Sequence, residues 1–133
     1  MIRGSCLCNQ VKFEIDHSLG PIIYCHCSRC RKSSGSAFVT STEIKRSNFH
    51  ITAGQHFVKK FPNPGAVDRF FCSECGSQLY SQREATPEVM RIRLGTIDTA
   101  FEDRVSAHIF VDSKAPWHDI ADDAVQYAER PNT

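Results

Sequence analysis

The sequence predicts a mainly β domain with little helix. Three observations carry that expectation: short runs of alternating apolar and polar residues, turn signals at close intervals, and cysteines grouped where a metal ion could staple strands together. Side chains on a strand point to opposite faces in turn, so several short alternating runs bounded by Gly, Pro and Asn favour a β-rich fold. No segment sustains the 3.6-residue period of a packed helix.

Taken in order, Val11, Phe13 and Ile15 alternate with Lys12, Glu14 and Asp16, which predicts a half-buried strand. Gly20-Pro21 breaks it, and Ile22-Ile23-Tyr24 then enters a cysteine cluster. Arg31-Lys32-Ser33-Ser34-Gly35 is polar and reads as a loop or one helical turn. Ser36 to Ser41 reads as extended around Phe38 and Val39, and a short helical turn near Glu43 to Ser47 precedes Phe49-His50-Ile51-Thr52. His56 to Phe61 reads as a strand stopped by the turn Pro62-Asn63-Pro64-Gly65. Val67 to Phe71 and Gln78 to Gln82 flank Cys72-Ser73-Glu74-Cys75-Gly76, a hairpin carrying a metal knuckle, where Gly76 suits a backbone that needs positive φ. Val89 to Leu94 and Arg104 to Val111 supply two further strands.

At 133 residues the chain is expected to form a single domain over 1–133. Its net charge of +1 argues against nucleic acid or an anionic membrane as partner. No apolar run reaches membrane-spanning length, and Met1-Ile2-Arg3-Gly4-Ser5 does not begin a signal peptide. A cytoplasmic location is therefore expected, where thiols stay reduced. Seven cysteines cannot all pair with one another, and the C-x-C spacing strains a disulfide. Metal binding is the better use for them.

The clusters are unequal. Cys6-Leu7-Cys8 and Cys72-Ser73-Glu74-Cys75 together supply four thiolates, enough to close a tetrahedral site and tie the N-terminus to the second half of the chain. Two separate thiol pairs are the competing reading. Cys25-His26-Cys27-Ser28-Arg29-Cys30 supplies three sulfurs and leaves one coordination position to another ligand. Closed sites hold folds together, and open ones do chemistry. Water, a carboxylate, a substrate sulfur or one of His26, His50, His56 and His108 could complete it; a histidine would make it a second structural site, although His26 is turned away by its place between two ligands. An incoming thiol would lose its proton there and become an activated thiolate. Arg29, Arg31 and Lys32 either offset the cluster's negative charge, bind an anionic ligand or form a solvated basic loop. Ser33 or Ser34 could orient a carbonyl, and Trp117 could line the pocket.

Gly4-Ser5-Cys6-Leu7-Cys8, then Cys25-His26-Cys27-Ser28-Arg29-Cys30, then Phe71-Cys72-Ser73-Glu74-Cys75-Gly76-Ser77 resembles the glutathione-dependent formaldehyde-activating enzyme family, also called the GFA or CENP-V domain. His108-Ile109-Phe110-Val111-Asp112-Ser113-Lys114-Ala115-Pro116-Trp117 is similar to the family's closing segment, so the match covers about 4–117 and leaves 118–133 as a tail. The resemblance implies a β-tent carrying two zinc ions per chain. Cys6, Cys8, Cys72 and Cys75 would hold the structural ion, and Cys25, Cys27 and Cys30 the catalytic one. It further implies a carbon–sulfur lyase-like activity that joins glutathione or a similar thiol to a small aldehyde such as formaldehyde, giving S-(hydroxymethyl)glutathione. The substrate sulfur would complete the second tetrahedron and add to the carbonyl carbon; no residue is assigned as general acid or base. Two non-catalytic alternatives are a glutathione or thiol carrier and a zinc-stapled binding module, and the lack of a basic stripe argues against nucleic acid for the latter.

Overall fold

The computed structural model describes residues 1–131. In chain order its elements are β1 (Ile2–Ser5), β2 (Lys12–Ile15), β3 (Ile22–Cys25), α1 (Ser28–Ser34), β4 (Val39–Lys45), β5 (Phe49–Ala53), β6 (Val58–Phe61), β7 (Asp68–Cys72), β8 (Gln78–Gln82), β9 (Val89–Arg93), β10 (Val105–Ile109) and β11 (Val125–Gln126). The chain is mainly β, with short 3-10 turns such as Arg46–Asn48 between strands. Among the described residues no helix is long and apolar enough to cross a membrane. Two compact units divide it: Met1–Gly20 with Thr42–Phe101, and Pro21–Ser41 with the chain from Glu102 onward.

The first unit owes its form to alternation. In β2, Phe13 and Ile15 are buried while Lys12 is exposed, and the antiparallel register sets Gly4 of β1 and Ile51 of β5 opposite Phe13. A second antiparallel run takes β6 to β7, β7 to β8 and β8 to β9, pairing Val58 with Cys72, Phe70 with Tyr80 and Tyr80 with Ile92. Inward residues from both runs form one core of Val11, Phe13, Ile15, Ile44, Phe49, Leu79, Tyr80, Met90 and Ile92, and this core also takes in Cys6 and Cys72. Phe13 and Phe49 meet at 5.2 Å between ring centroids and Phe49 and Tyr80 at 5.3 Å, within the range where tilted rings attract.

The second unit is parallel. β3 lies beside β10, with Tyr24 opposite His108 and Cys25 opposite Ile109, and β11 extends the ladder on the far side of β10. Helix α1 follows β3 after two residues. Cys27 is its N-cap, in extended conformation at φ −65°, ψ 156°, and Gly35 ends it in the left-handed region at φ 65°. These two stops explain why the polar stretch after Cys30 is part of a seven-residue helix and not a loop.

Other boundaries move for equally local reasons. Glu43 to Lys45 continues β4, whose buried Val39, Ser41, Thr42 and Ile44 hold it extended, so the helical turn begins only at Arg46. His56 sits in the 3-10 turn Gln55–Phe57, and the strand starts at Val58. That turn opens on Gly54, at φ 75°, where a β-carbon would lie 2.0 Å from the Gln10 carbonyl oxygen. Gly65 has a similar φ of 78° but open space around it.

This contrast separates two costs. Gly65→Ala carries only the left-handed penalty, about 1–2 kcal/mol, whereas Gly54→Ala must also push two backbone segments apart. Urea denaturation should therefore place the Gly54→Ala midpoint clearly below that of Gly65→Ala; equal midpoints would contradict the close approach.

Candidate metal centres

The first unit gathers four sulfurs. Cys6 follows β1, Cys8 lies in the turn after it, Cys72 ends β7, and Cys75 lies in the turn to β8. All four sulfur atoms lie within 4.8 Å of one another, with Cys6 to Cys8 at 3.5 Å and Cys8 to Cys72 at 3.8 Å. No disulfide links any of the seven cysteines.

Backbone hydrogen bonds shape both turns. Cys6 N–H donates to the Val11 carbonyl at 3.0 Å, and Val11 N–H donates back to Cys6 Sγ at 3.3 Å. Across the hairpin, Cys72 N–H donates to the Ser77 carbonyl at 3.0 Å and Gly76 N–H to the Cys72 carbonyl at 2.8 Å, with Gly76 at φ 79° as the knuckle requires. Leu7 N–H donates to Ser77 Oγ at 2.9 Å, joining one turn to the other.

The second unit gathers three sulfurs. Cys25 ends β3, Cys27 caps α1 and Cys30 is buried in the helix's first turn. Their sulfurs also lie within 4.8 Å of one another. Cys30 N–H donates to Cys27 Sγ at 3.3 Å, so the cap that starts the helix also aims a sulfur into the cluster. Among the described residues no histidine or carboxylate joins these three within that distance.

The histidines weighed as a fourth ligand are engaged elsewhere. His50 lies 2.8 Å from an Asp16 carboxylate oxygen, and His56 rests against the Phe57 ring at 4.0 Å. His26 is fully buried, with Nε2 placed 2.8 Å from His108 Nδ1, and His108 Nε2 is 3.0 Å from both carboxylate oxygens of Asp122. This Asp–His–His chain has no signature in the sequence, because its members come from three separate segments. Ser33 and Ser34 both donate to the Cys30 carbonyl, at 3.1 and 2.8 Å, and so brace the helix. Trp117 is 70% exposed. Arg29 and Lys32 are exposed and Arg31 is half-buried.

The electrostatics follow from crowding. Hydrogen bonds from the Cys25 and Cys30 thiols, and then from the Cys30 and Arg29 backbone, hold the Cys27 thiol far below its ordinary range. Cys25, which shares its sulfur contacts with Cys27 and Cys30 and is partly buried, is pushed up. Burial, and then the nearby His108, His118 and Lys114, bring His26 down to about 4, so it is neutral at physiological pH. Asp122 is held below the usual carboxylate range chiefly by its hydrogen bond to His108.

Both donor sets suit a metal ion. Thiolates are soft ligands that favour zinc, copper(I) or iron–sulfur chemistry over hard cations. Two cysteine clusters of this chain could each hold such an ion.

The family model described as glutathione-dependent formaldehyde-activating enzyme matches residues 1–113. A Halomonas elongata protein that carries that enzyme's name provisionally is 28% identical over 132 residues, which cover 90% of this chain and 81% of the relative. An Aspergillus flavus protein with the same provisional name is 25% identical across 86% of this chain, but the match spans only 54% of its length. An uncharacterized lyase of Schizosaccharomyces pombe is 26% identical over 59% of the chain and 55% of its own. This chain thus spans about half the length of these two fungal relatives. The crystal structure of a Rhodobacter sphaeroides protein superposes with a TM-score of 0.62, covering 74% of this chain and 90% of that one at 20% identity, a likeness of fold.

In metal-free protein, the shared hydrogen bonds set an order of thiol reactivity, since the thiolate is the nucleophile. Iodoacetamide near neutral pH should label Cys27 ahead of Cys25. Timed alkylation with peptide mass spectrometry reads the order, and Cys25 reacting ahead of Cys27 would overturn the arrangement.

Proposed function

The chain belongs to the glutathione-dependent formaldehyde-activating enzyme family, and from that premise we propose that it is a zinc-dependent, carbon–sulfur lyase-like enzyme joining a thiol, glutathione or a close relative, to a small aldehyde such as formaldehyde. One observation carries the reading: three sulfurs converge in the second unit without a fourth protein ligand among the described residues, while four converge in the first. In this reading Cys6, Cys8, Cys72 and Cys75 hold a structural zinc and Cys25, Cys27 and Cys30 a catalytic one, two per chain. Zinc held by three thiolates supplies a Lewis-acid position that favours the thiolate form of an incoming thiol near neutral pH.

The chain's own residues set the rest. The Cys27 cap and the Gly35 stop fix α1, and α1 carries Cys30 in its first turn and Arg31 and Lys32 in its last. Three thiolates around a dication leave one net negative charge, which Arg29, Arg31 and Lys32 offset; the same cations attract an anionic thiol such as glutathione. The reaction needs no oxidant. The thiol S–H bond breaks, a carbon–sulfur bond forms as the carbonyl π bond opens, and the thiol proton ends on the new hydroxyl oxygen. Reduced thiols at both clusters suit a reducing compartment, and the cytoplasm is the proposed location.

Zinc-loaded protein mixed with glutathione and ¹³C-formaldehyde should form the hydroxymethyl thioether faster than the spontaneous reaction, as followed by NMR. Cys27→Ser should lose about one zinc per chain and fall to the spontaneous rate while the four-sulfur site keeps its ion. Full turnover in that variant after loss of the ion would reject the assignment.

A further inference from the structure

His26 stands between two cysteines of the cluster, yet its ring faces away from them. The register with β10 sets Tyr24 beside His108, and the His26 ring, one residue past the end of β3, turns to the same histidine. His26 and His108 are both buried, and Asp122 reaches His108 from a position where its side chain is 38% exposed.

The hydrogen bonds have a direction. An ionised carboxylate only accepts, so His108 donates to Asp122 from Nε2. In the neutral chain His108 Nδ1 then accepts, and His26 donates to it from Nε2. One carboxylate thereby fixes the tautomers of two rings, and it leaves His26 Nδ1 a buried acceptor that makes no hydrogen bond. The His26 backbone N–H also donates to the Ile109 carbonyl at 3.0 Å. The segment carrying the three sulfurs is thus fastened to β10 twice, once by its backbone and once by a buried ring.

We propose that Asp122, acting through His108, is a positioning residue: the Asp122–His108–His26 chain holds the Cys25–Cys30 loop in the shape that keeps its three sulfurs together, and so sets how firmly the loop retains a metal ion. This rests on the reading of that loop as a metal site. Hydrogen bonds to a charged group are roughly twice as strong as neutral ones, which makes the carboxylate the anchor of the chain. Groups that orient metal ligands from behind typically change metal affinity by about 10- to 100-fold.

Cadmium-loaded full-length protein tests this, because ¹¹³Cd NMR separates a four-sulfur from a three-sulfur environment and needs no turnover. Under excess chelator, Asp122→Ala and His108→Ala should each speed loss of the three-sulfur signal about tenfold, with the four-sulfur signal decaying as in the parent. Added imidazole, which can both donate to Asp122 and accept from His26, should slow the loss in His108→Ala; pyrrole, of like size but with no acceptor nitrogen, should not. Unchanged release in both variants, equal acceleration at both clusters, or equal rescue by pyrrole would each overturn the proposal. Should cadmium fail to enter the three-sulfur cluster, the metal-site reading falls, and the chain is judged by ¹⁵N NMR of its histidines. Nε2–H tautomers at both His26 and His108 would support it, and an Nδ1–H tautomer at His26 would refute it.

Discussion

Sulfur crowding is the constraint on which this structure turns. Two groups of cysteine sulfurs are each held within 4.8 Å, and thiolates that close repel one another by roughly 4 kcal/mol per pair at an effective dielectric of 20. Either protons or a cation must relieve the repulsion. The bare chain does it with protons, which is why Cys25 is driven up while Cys27 is driven down. A divalent cation would do it for every sulfur at once, and the backbone is already bent to receive one.

That bending is local and cheap. The four-sulfur group needs two tight turns, one closed by the mutual bonds of Cys6 and Val11 and one by the bonds around Cys72, Gly76 and Ser77. The buried Cys6 and Cys72 belong to the same apolar core as Phe13 and Ile92, so the strands and the cluster position each other. The three-sulfur group is assembled differently: a strand end, a helix cap and a helical turn meet within one short segment, and a buried histidine chain pins that segment from behind. The first group is woven into hydrophobic packing, whereas the second relies on hydrogen bonds. This difference suits a structural role for one and a chemical role for the other.

Much of this was legible because the signals are local. The alternation through Phe13 and Ile15 announces β2, Gln78 to Gln82 matches β8, and Cys72-x-x-Cys75-Gly76 announces the knuckle whose glycine does sit at positive φ. Spacing separates the cysteines into clusters of two, three and two, and the fold joins the first and third into a group of four. What stayed hidden depends on distant partners. β1 is too short and polar to read, yet pairing with β2 makes it a strand; β11 has two exposed residues and exists only through β10. The length of α1 was set by caps on either side of a polar stretch that carries no apolar period. Asp122 lies in what reads as a tail, and only the fold brings it to His108.

The most direct test of the account is zinc X-ray absorption on the purified protein, with and without glutathione. Two zinc ions per chain are predicted, with zinc–sulfur distances near 2.3 Å. The mean sulfur count, averaging a four-sulfur and a three-sulfur site, should be about 3.5 in the bare protein and rise toward four when glutathione is added. A count already at four and unchanged by the thiol, or a single zinc bound only by the four-sulfur group, would contradict it.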